Sequence, residues 1–221
     1  MHWEAITRFV VGRTLRDAVR ESRRGRGPYA IRVPRPLGED LVPALFIVPA
    51  EPGGPPRRGF RLYEDEGGRS LLCQVTPAGP EPGAGPYRVT DPAGLELGAV
   101  HRTPAAQRLV RHGWWLERPG RPEAVAERGW ARGGPGRALE RGAGKLLGSV
   151  VDGLLSMGAE GDAAGGPKPV VWRSGDRFVL TFQPSQGPRW YTVDRDGALD
   201  RRLAFALAVL RESEVWGGDR R

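Results

Sequence analysis

The segment that constrains this fold most is the last apolar run of the chain, Leu199 to Ser213, which reads LDRRLAFALAVLRES. From Leu203 to Leu210 every residue is apolar, so a helix here would be hydrophobic on all sides. Such a helix must either cross a membrane or be enclosed by protein. The apolar run is far too short for a membrane span, which needs about 20 residues. We therefore predict a helix over residues 198–213 that lies at the centre of the fold.

Most of the chain before this helix predicts antiparallel strands. Apolar or alternating runs are separated by short polar turns that contain glycine, as hairpins require. Three hairpins follow one another from Phe60 onward, and further strands follow residue 168. The runs are FRLY with RSLLCQV, PYRVT with LELGAVHR, RLVRHGWWLER with RPEAVAER, and then PVVWR, RFVLTFQ and RWYTV. Successive hairpins with short turns predict a mostly β fold, an antiparallel meander that is closed or nearly closed.

The N-terminal part of the chain is less regular. Residues 1–25 predict an amphipathic helix, because apolar residues between Trp3 and Arg24 fall roughly on one stripe and arginines occupy the rest. A strand over residues 3–11 is the alternative, since apolar and polar side chains alternate there. Prolines then break residues 26–58 into short pieces. Two of these pieces, Tyr29–Val33 and Leu41–Val48, are candidates for edge strands, where proline is tolerated.

Residues 130–168 interrupt the hairpins and predict a glycine-rich helical insertion. Its centre, ALERGAGKLLGSVVDGLLSMG, places pairs of apolar residues on one helical face. These candidate partner-binding residues are Leu146, Leu147, Val150, Val151, Leu154 and Leu155. An apolar stripe marks burial without showing what covers it. The insertion is therefore either a lid over one end of the barrel or an interface with a partner helix or a membrane.

The chain is basic, with 34 Lys and Arg against 26 Asp and Glu and a net charge of +8. A net positive charge favours binding to nucleic acid, to a membrane surface or to an acidic partner. Codon bias in a GC-rich genome explains the excess better, because only Lys145 and Lys168 are lysines and asparagine is absent. We expect no specific nucleic-acid partner.

The sequence also indicates where the protein resides. Cys73 is the single cysteine, which fits a reducing compartment. No secretory leader precedes the first predicted element, and no apolar run is long enough to be a transmembrane segment. A cytoplasmic location is expected, with attachment at the periphery of a membrane.

The clearest candidate for binding is the hairpin around residues 108–121, which combines tryptophan with arginine. Trp114 and Trp115 must face opposite sides of a strand, so one belongs to the core and the other to the surface. An exposed tryptophan among arginines suits an anionic membrane surface. The alternative is an ordinary barrel filler with a basic rim. The candidate lipid- or anion-binding residues are Arg108, Arg111, Trp114, Trp115, Arg118 and Arg121.

No pattern assembles a catalytic or metal site. The three histidines lack ligand spacing, and there is no nucleophile motif. GAGKLLGS departs from a phosphate loop, because Leu146 occupies the position of the required hydroxyl residue. Asp194, Asp196 and Asp200 resemble the start of a calcium loop, but Phe205 stands where the bidentate Glu is needed. They favour a tight turn and a helix N-terminus. We expect no enzyme, no cofactor and no metal.

Four features in order carry a family resemblance: YRVTDPAGLELGAV with its D-x-x-G turn, RLVRHGWWLER, late strands that end in Y-x-V, and DRRLAFALAVL. This order resembles the tubby C-terminal-like superfamily, in its LURP-one-related and scramblase-like branch. The resemblance covers residues 57–214. It implies a β-barrel of about twelve strands around a central hydrophobic C-terminal helix.

The sequence thus predicts an N-terminal helix over residues 1–25 and a tubby-like barrel domain over residues 26–216. The expected function is a non-enzymatic module that binds anionic phospholipid or a protein partner, peripheral at anionic membrane surfaces. The alternative is a structural or adaptor protein that docks another protein through an insertion helix at residues 135–160.

Overall fold

The computed structural model describes residues 2–15, 26–35, 40–79, 85–103, 113–126, 168–184 and 188–218, and the elements of the fold lie within these ranges. Twelve strands and one α-helix form the fold, with 3₁₀ turns at Trp3–Ala5 and Pro56–Arg58. The elements are β1 (Arg8–Leu15), β2 (Arg26–Pro34), β3 (Leu41–Pro49), β4 (Phe60–Tyr63), β5 (Leu71–Pro77), β6 (Tyr87–Thr90), β7 (Glu96–Arg102), β8 (Trp114–Arg118), β9 (Arg121–Ala126), β10 (Val170–Ser174), β11 (Arg177–Gln183), β12 (Trp190–Val193) and α1 (Arg201–Gly218).

The strands form one closed antiparallel barrel. Each strand pairs with its neighbours in sequence, and β1 pairs with β12, where Phe9 lies opposite Tyr191. Closure by the first and last strands leaves none of the twelve with an open edge. The predicted meander and its hairpins are confirmed, and residues 26–50 supply two of the strands.

Helix α1 fills the barrel. Every residue from Leu203 to Leu210 is at most 1% exposed, and the helix contacts β1, β5, β6, β7, β8 and β12. A barrel of twelve strands is too wide for wall side chains alone to fill. The apolar helix occupies that space and completes the core. The predicted buried helix is confirmed, although it begins at Arg201 and continues to Gly218.

The predicted N-terminal helix was wrong over Arg8–Leu15, which form β1. Phe9 and Val11 point into the core, and Phe9 packs edge-on against Phe205 of α1. Residues 8–10 pair with β12 and residues 10–15 pair with β2, so the strand gains ladder hydrogen bonds from both ends of the chain. Such long-range pairing outweighs a rough helical stripe, especially in a run with the β-branched pair Val10 and Val11. Residues 16–25 of the predicted helix lie outside the described residues.

The two proline-flanked pieces are also not edge strands, because β2 and β3 are paired on both sides. Pro43 is accommodated at an irregularity in the register. Ile31 pairs with Leu45, whereas the next residue, Arg32, pairs with Pro43, so Ala44 is extra. A bulge is one of the few places where a strand tolerates proline. The insertion predicted at residues 130–168 falls almost wholly outside the described residues.

The barrel has two ends, which we name after the termini of α1. At the amino end, Val193 N–H donates to the Thr7 carbonyl, and Arg201 Nε donates to the Ile6 carbonyl. Strand directions place the short turns at residues 64–70, 91–95, 119–120, 175–176 and 194–200 at this end. The connections 16–25, 50–59, 78–86, 103–113, 127–169 and 184–189 join strand ends at the opposite, carboxyl end.

Candidate functional site

The structure separates the members of the predicted binding hairpin. Trp114 faces the interior, is 8% exposed, and its carbonyl accepts a hydrogen bond from the indole Nε1 of Trp172 at 2.8 Å. Trp115 is half-buried on the outer face, where its ring stacks on His101 with centroids 3.7 Å apart. His101 Nε2 in turn lies 2.7 Å from a carboxylate oxygen of Glu117. The expectation that the two tryptophans face opposite sides is confirmed.

Arg118 and Arg121 lie at the amino end, at the other end of strand β8 from the tryptophans. Arg118 is only 7% exposed. Its guanidinium donates to the Ala198 carbonyl at 2.5 Å, and also to the Pro122 carbonyl and the Ser174 hydroxyl. Arg121 is exposed and reaches the same Ala198 carbonyl at 3.3 Å. Arg118 therefore holds three chain segments together, and of this pair only Arg121 presents its charge to solvent.

The other predicted site residues lie outside the described part of the chain. Arg108 and Arg111 belong to the connection between β7 and β8. The apolar residues of the insertion, Leu146, Leu147, Val150, Val151, Leu154 and Leu155, belong to the connection between β9 and β10. Both connections join strand ends at the carboxyl end of the barrel.

Three residues, Glu212, Tyr191 and Arg189, join α1 to the barrel wall at the carboxyl end, and we call them the cap. Glu212, 4% exposed, accepts hydrogen bonds from the Tyr191 hydroxyl at 2.7 Å and from Arg189 at 3.1 Å. Two residues further along α1, a carboxylate oxygen of Glu214 lies 2.6 Å from the guanidinium of Arg102. Burial raises the pKa of Tyr191, and the adjacent Glu212 carboxylate adds to the effect. The hydroxyl is therefore a donor that stays protonated, and the cap holds the helix in place.

The amino end is rich in carboxylates, and most of them bind an arginine or a backbone N–H group. The guanidinium of Arg177 lies 2.9 Å from a carboxylate oxygen of Asp196 and 3.8 Å from one of Asp194. These two carboxylates therefore face an arginine and do not form a pair of metal ligands. Asp200 accepts a hydrogen bond from the backbone N–H of Arg202 at 2.9 Å and caps the first turn of α1. This agrees with the predicted turn and helix start. In the described part of the chain, no three His, Cys, Asp or Glu side chains are grouped to bind a metal.

A basic and aromatic patch on the outer wall brings together residues from three strands. We define the wall patch as Arg8 and Val10 of β1, Arg32 of β2 and Trp190 of β12. Val10 lies opposite both Arg32 and Trp190 in the register. The guanidinium of Arg8 lies 4.1 Å above the centre of the Trp190 ring. Val10 is 4% exposed although it faces outward, away from the core cluster.

The two arginines of the wall patch have no acidic partner among the described residues. Arg8 is exposed and its guanidinium lies over the indole, while Arg32 is half-buried and its buried Nε has no hydrogen-bond acceptor among the described residues. Burial lowers the pKa of Arg32. The patch thus carries two positive charges that nothing in the described fold neutralises.

Sequence reasoning missed the wall patch because its members are far apart in the chain. Arg8 and Trp190 become neighbours only when the first strand pairs with the last. The alternation of Arg8, Phe9 and Val10 was the local signal, and it belongs to the strand over residues 3–11, the alternative to a helix in that part of the sequence.

No helix among the described residues is both long and apolar enough to cross a membrane. Comparison of the chain with known protein families, with characterised proteins and with solved structures finds no match.

Proposed function

We propose that this protein is a non-enzymatic binding module that attaches to anionic phospholipid surfaces through the carboxyl end of its barrel. The observation that carries the proposal is a difference in charge between the connections at the two ends of the barrel. The connections at residues 16–25 and 104–112, which include Arg108 and Arg111, are rich in arginine and join strand ends at the carboxyl end. In the turns of the amino end, Asp and Glu outnumber Arg.

The packed interior supports binding at an outer surface. Helix α1 occupies the space that a wide barrel could otherwise offer to an acyl chain, since Leu203–Leu210 are buried on all sides. Recognition of lipid then depends on headgroups and surface charge. Each Lys or Arg close to an anionic bilayer contributes about 1 kcal/mol, within about one Debye length of it.

We further propose that the chain belongs to the tubby C-terminal-like superfamily, as the order of its sequence elements resembles that family. The closed barrel around an apolar terminal helix supports this assignment at the level of architecture.

Co-sedimentation with vesicles tests the proposed function. We expect binding to vesicles that contain phosphatidylserine, little binding to phosphatidylcholine alone, and release by high salt. The variant Arg108→Glu/Arg111→Glu should lower the affinity more than about tenfold, because reversal replaces attraction with repulsion at two positions. The matched control is Arg35→Glu/Arg195→Glu, which reverses two exposed arginines at the amino end.

Two results would contradict the proposal. One is the absence of salt-sensitive binding to anionic vesicles by the unmodified protein. The other is an equal loss of binding in both double variants, because the carboxyl end would then have no special role.

An adaptor function is the second candidate, favoured by the long connection between β9 and β10 and its apolar residues. Deletion of residues 135–160 separates the two functions. Loss of a protein partner in pull-down with vesicle binding intact would favour the adaptor, whereas loss of vesicle binding alone would favour a membrane contact.

A further inference from the structure

We propose that the connection between β3 and β4, residues 50–59, is a contact of the carboxyl end with an anionic bilayer. In this contact Arg57 binds lipid headgroups, and Val48 lies at the depth where headgroups meet acyl chains. The inference rests on the proposed function and deepens it, because it assigns the membrane contact to residues whose structure is described.

Backbone hydrogen bonds hold this connection together. Ala50 N–H donates to the Gly59 carbonyl at 2.9 Å, and Gly59 N–H donates to the Pro56 carbonyl at 2.9 Å. Pro56 is buried, and the 3₁₀ turn that it begins packs against β3, β5 and α1. A loop that is already ordered loses little conformational entropy when it binds a surface. The connection is therefore preorganised to present its side chains.

The 3₁₀ turn presents two exposed arginines at the carboxyl end. The guanidinium of Arg58 lies 2.8 Å from a carboxylate oxygen of Glu51, which offsets its charge. The side chain of Arg57 has no acidic partner among the described residues. An uncompensated arginine is attracted to an anionic bilayer within about one Debye length of its surface. Arg57 is therefore the residue of this turn whose charge is available to a headgroup.

The adjacent connection adds positive charge to this side of the carboxyl end. Residues 16–25 join β1 to β2, and β2 pairs with β3, so residues 16–25 and 50–59 are attached to neighbouring strands. Residues 16–25 contain four arginines against two acidic residues, and residues 50–59 contain two arginines against one glutamate. Both connections therefore have a net positive charge, which complements an anionic surface.

An exposed apolar side chain lies next to the connection. Val48 is the penultimate residue of β3, and it is 44% exposed. Arg61 of β4 lies directly opposite Val48 in the register, and it is exposed as well. An apolar side chain beside arginines suits the interface of a bilayer, because it leaves water while the guanidinium groups stay among the headgroups. Val48 therefore marks the depth of the contact.

Site-specific labelling tests this contact. Cys73 is buried and burial raises its pKa to about 12, so an added surface cysteine can be labelled selectively in the folded protein. We expect an environment-sensitive fluorophore on Val48→Cys to brighten and shift to shorter wavelength with vesicles that contain phosphatidylserine. High salt should reverse the change. The matched control is the same label on Leu95→Cys, an exposed apolar residue at the amino end, which should stay in water.

Charge reversal provides a second measurement. Arg57→Glu should weaken binding to the same vesicles by about tenfold or more, because repulsion replaces attraction. Arg195→Glu reverses an exposed arginine in an amino-end turn and should leave the affinity unchanged. Neither arginine has a hydrogen-bond or ion-pair partner among the described residues, so both variants should keep the thermal midpoint of the unmodified protein.

The outcomes separate this inference from the proposed function. If the unmodified protein does not bind anionic vesicles, the proposed function fails and this contact fails with it. If the protein binds but the label on Val48→Cys stays in water, or Arg57→Glu binds as tightly as the unmodified protein, only this contact is overturned. Equal spectral shifts of the labels at the two ends would overturn it as well.

Discussion

Arg118 shows how a single charged residue can serve the fold. Its guanidinium is enclosed at the amino end and donates to the segments before α1, after the β8–β9 turn and at the end of β10. Burial lowers the pKa of Arg118, and the nearby charge of Arg121 adds to that effect. The rigid fork of a guanidinium can address several acceptors at once, which the point charge of an ammonium cannot.

We therefore expect Arg118→Lys to lower the free energy of unfolding by about 2–3 kcal/mol, the cost of leaving buried acceptors without donors. Urea denaturation measures this change. Arg121→Lys is the control, because its side chain is exposed and its loss should cost less than about 0.5 kcal/mol. Equal effects of the two substitutions would show that burial of Arg118 is unimportant.

Cys73 provides a pH-dependent test of the core. Burial raises the pKa of its thiol to about 12, with smaller opposing effects of Arg202 and Asp200. A group whose pKa is raised by folding keeps its full stabilising contribution below the pKa of the unfolded chain and loses it above. Between pH 9 and about 12 the unfolded state releases a proton that the folded state retains.

The free energy of unfolding should thus fall by about 1.4 kcal/mol for each pH unit in this window. Tyr191 adds to the fall above about pH 10, because its pKa is also raised. Urea titrations of the unmodified protein and of Cys73→Ala at successive pH values measure the thiol's share. A slope between pH 9 and 10 that is the same in both proteins would contradict a buried, protonated thiol.

At the scale of elements, glycine fixes how closely β7 and β8 approach. Gly98 has φ +144°, and a Cβ there would lie 2.3 Å from the Glu117 carbonyl oxygen. The second-nearest atom to that Cβ is Cδ1 of Leu203 in α1, at 3.3 Å, so the wall and the helix are in contact at this point. A side chain at this position would separate two strands or displace the helix.

Gly98→Ala should therefore destabilise the fold by about 2–4 kcal/mol, as strain at a restricted φ and overpacking act together. Gly12→Ala in β1 is the matched control, since no atom lies within 4 Å of the added Cβ and its φ is not positive. This substitution should change the free energy of unfolding by less than about 0.5 kcal/mol. Thermal unfolding of both variants checks the contrast, and similar midpoints would argue against the close approach.

The elements that sequence predicts well are those whose causes are local. The hairpins were predictable because turns such as that at Gly94, with φ +84°, need a residue without a side chain. Strand β1 was predicted only as the alternative to a helix, over residues 3–11, because its partner β12 lies at the other end of the chain. The wall patch was missed for the same reason. The interior position of Arg118 also depends on long-range partners, which no local pattern encodes.

At the scale of the molecule, the barrel and its helix depend on each other. The wall needs α1 because twelve strands leave an interior that must be filled, and α1 needs the wall because Leu203–Leu210 have no polar face. Pairing of β1 with β12 closes the wall, and the cap formed by Glu212, Tyr191 and Arg189 ties α1 to the wall. Folding of wall and helix should accordingly be one cooperative event.

Amide hydrogen exchange along α1 measures this directly. We predict that the amides of Leu203 to Leu210 exchange only when the whole protein unfolds, with free energies within about 1 kcal/mol of that from urea denaturation. Amides in the exposed turn at Gly94 should exchange much faster. Exchange of the helix amides with free energies far below the global value would show that α1 leaves the barrel on its own, and would contradict an enclosed helix as the centre of this fold.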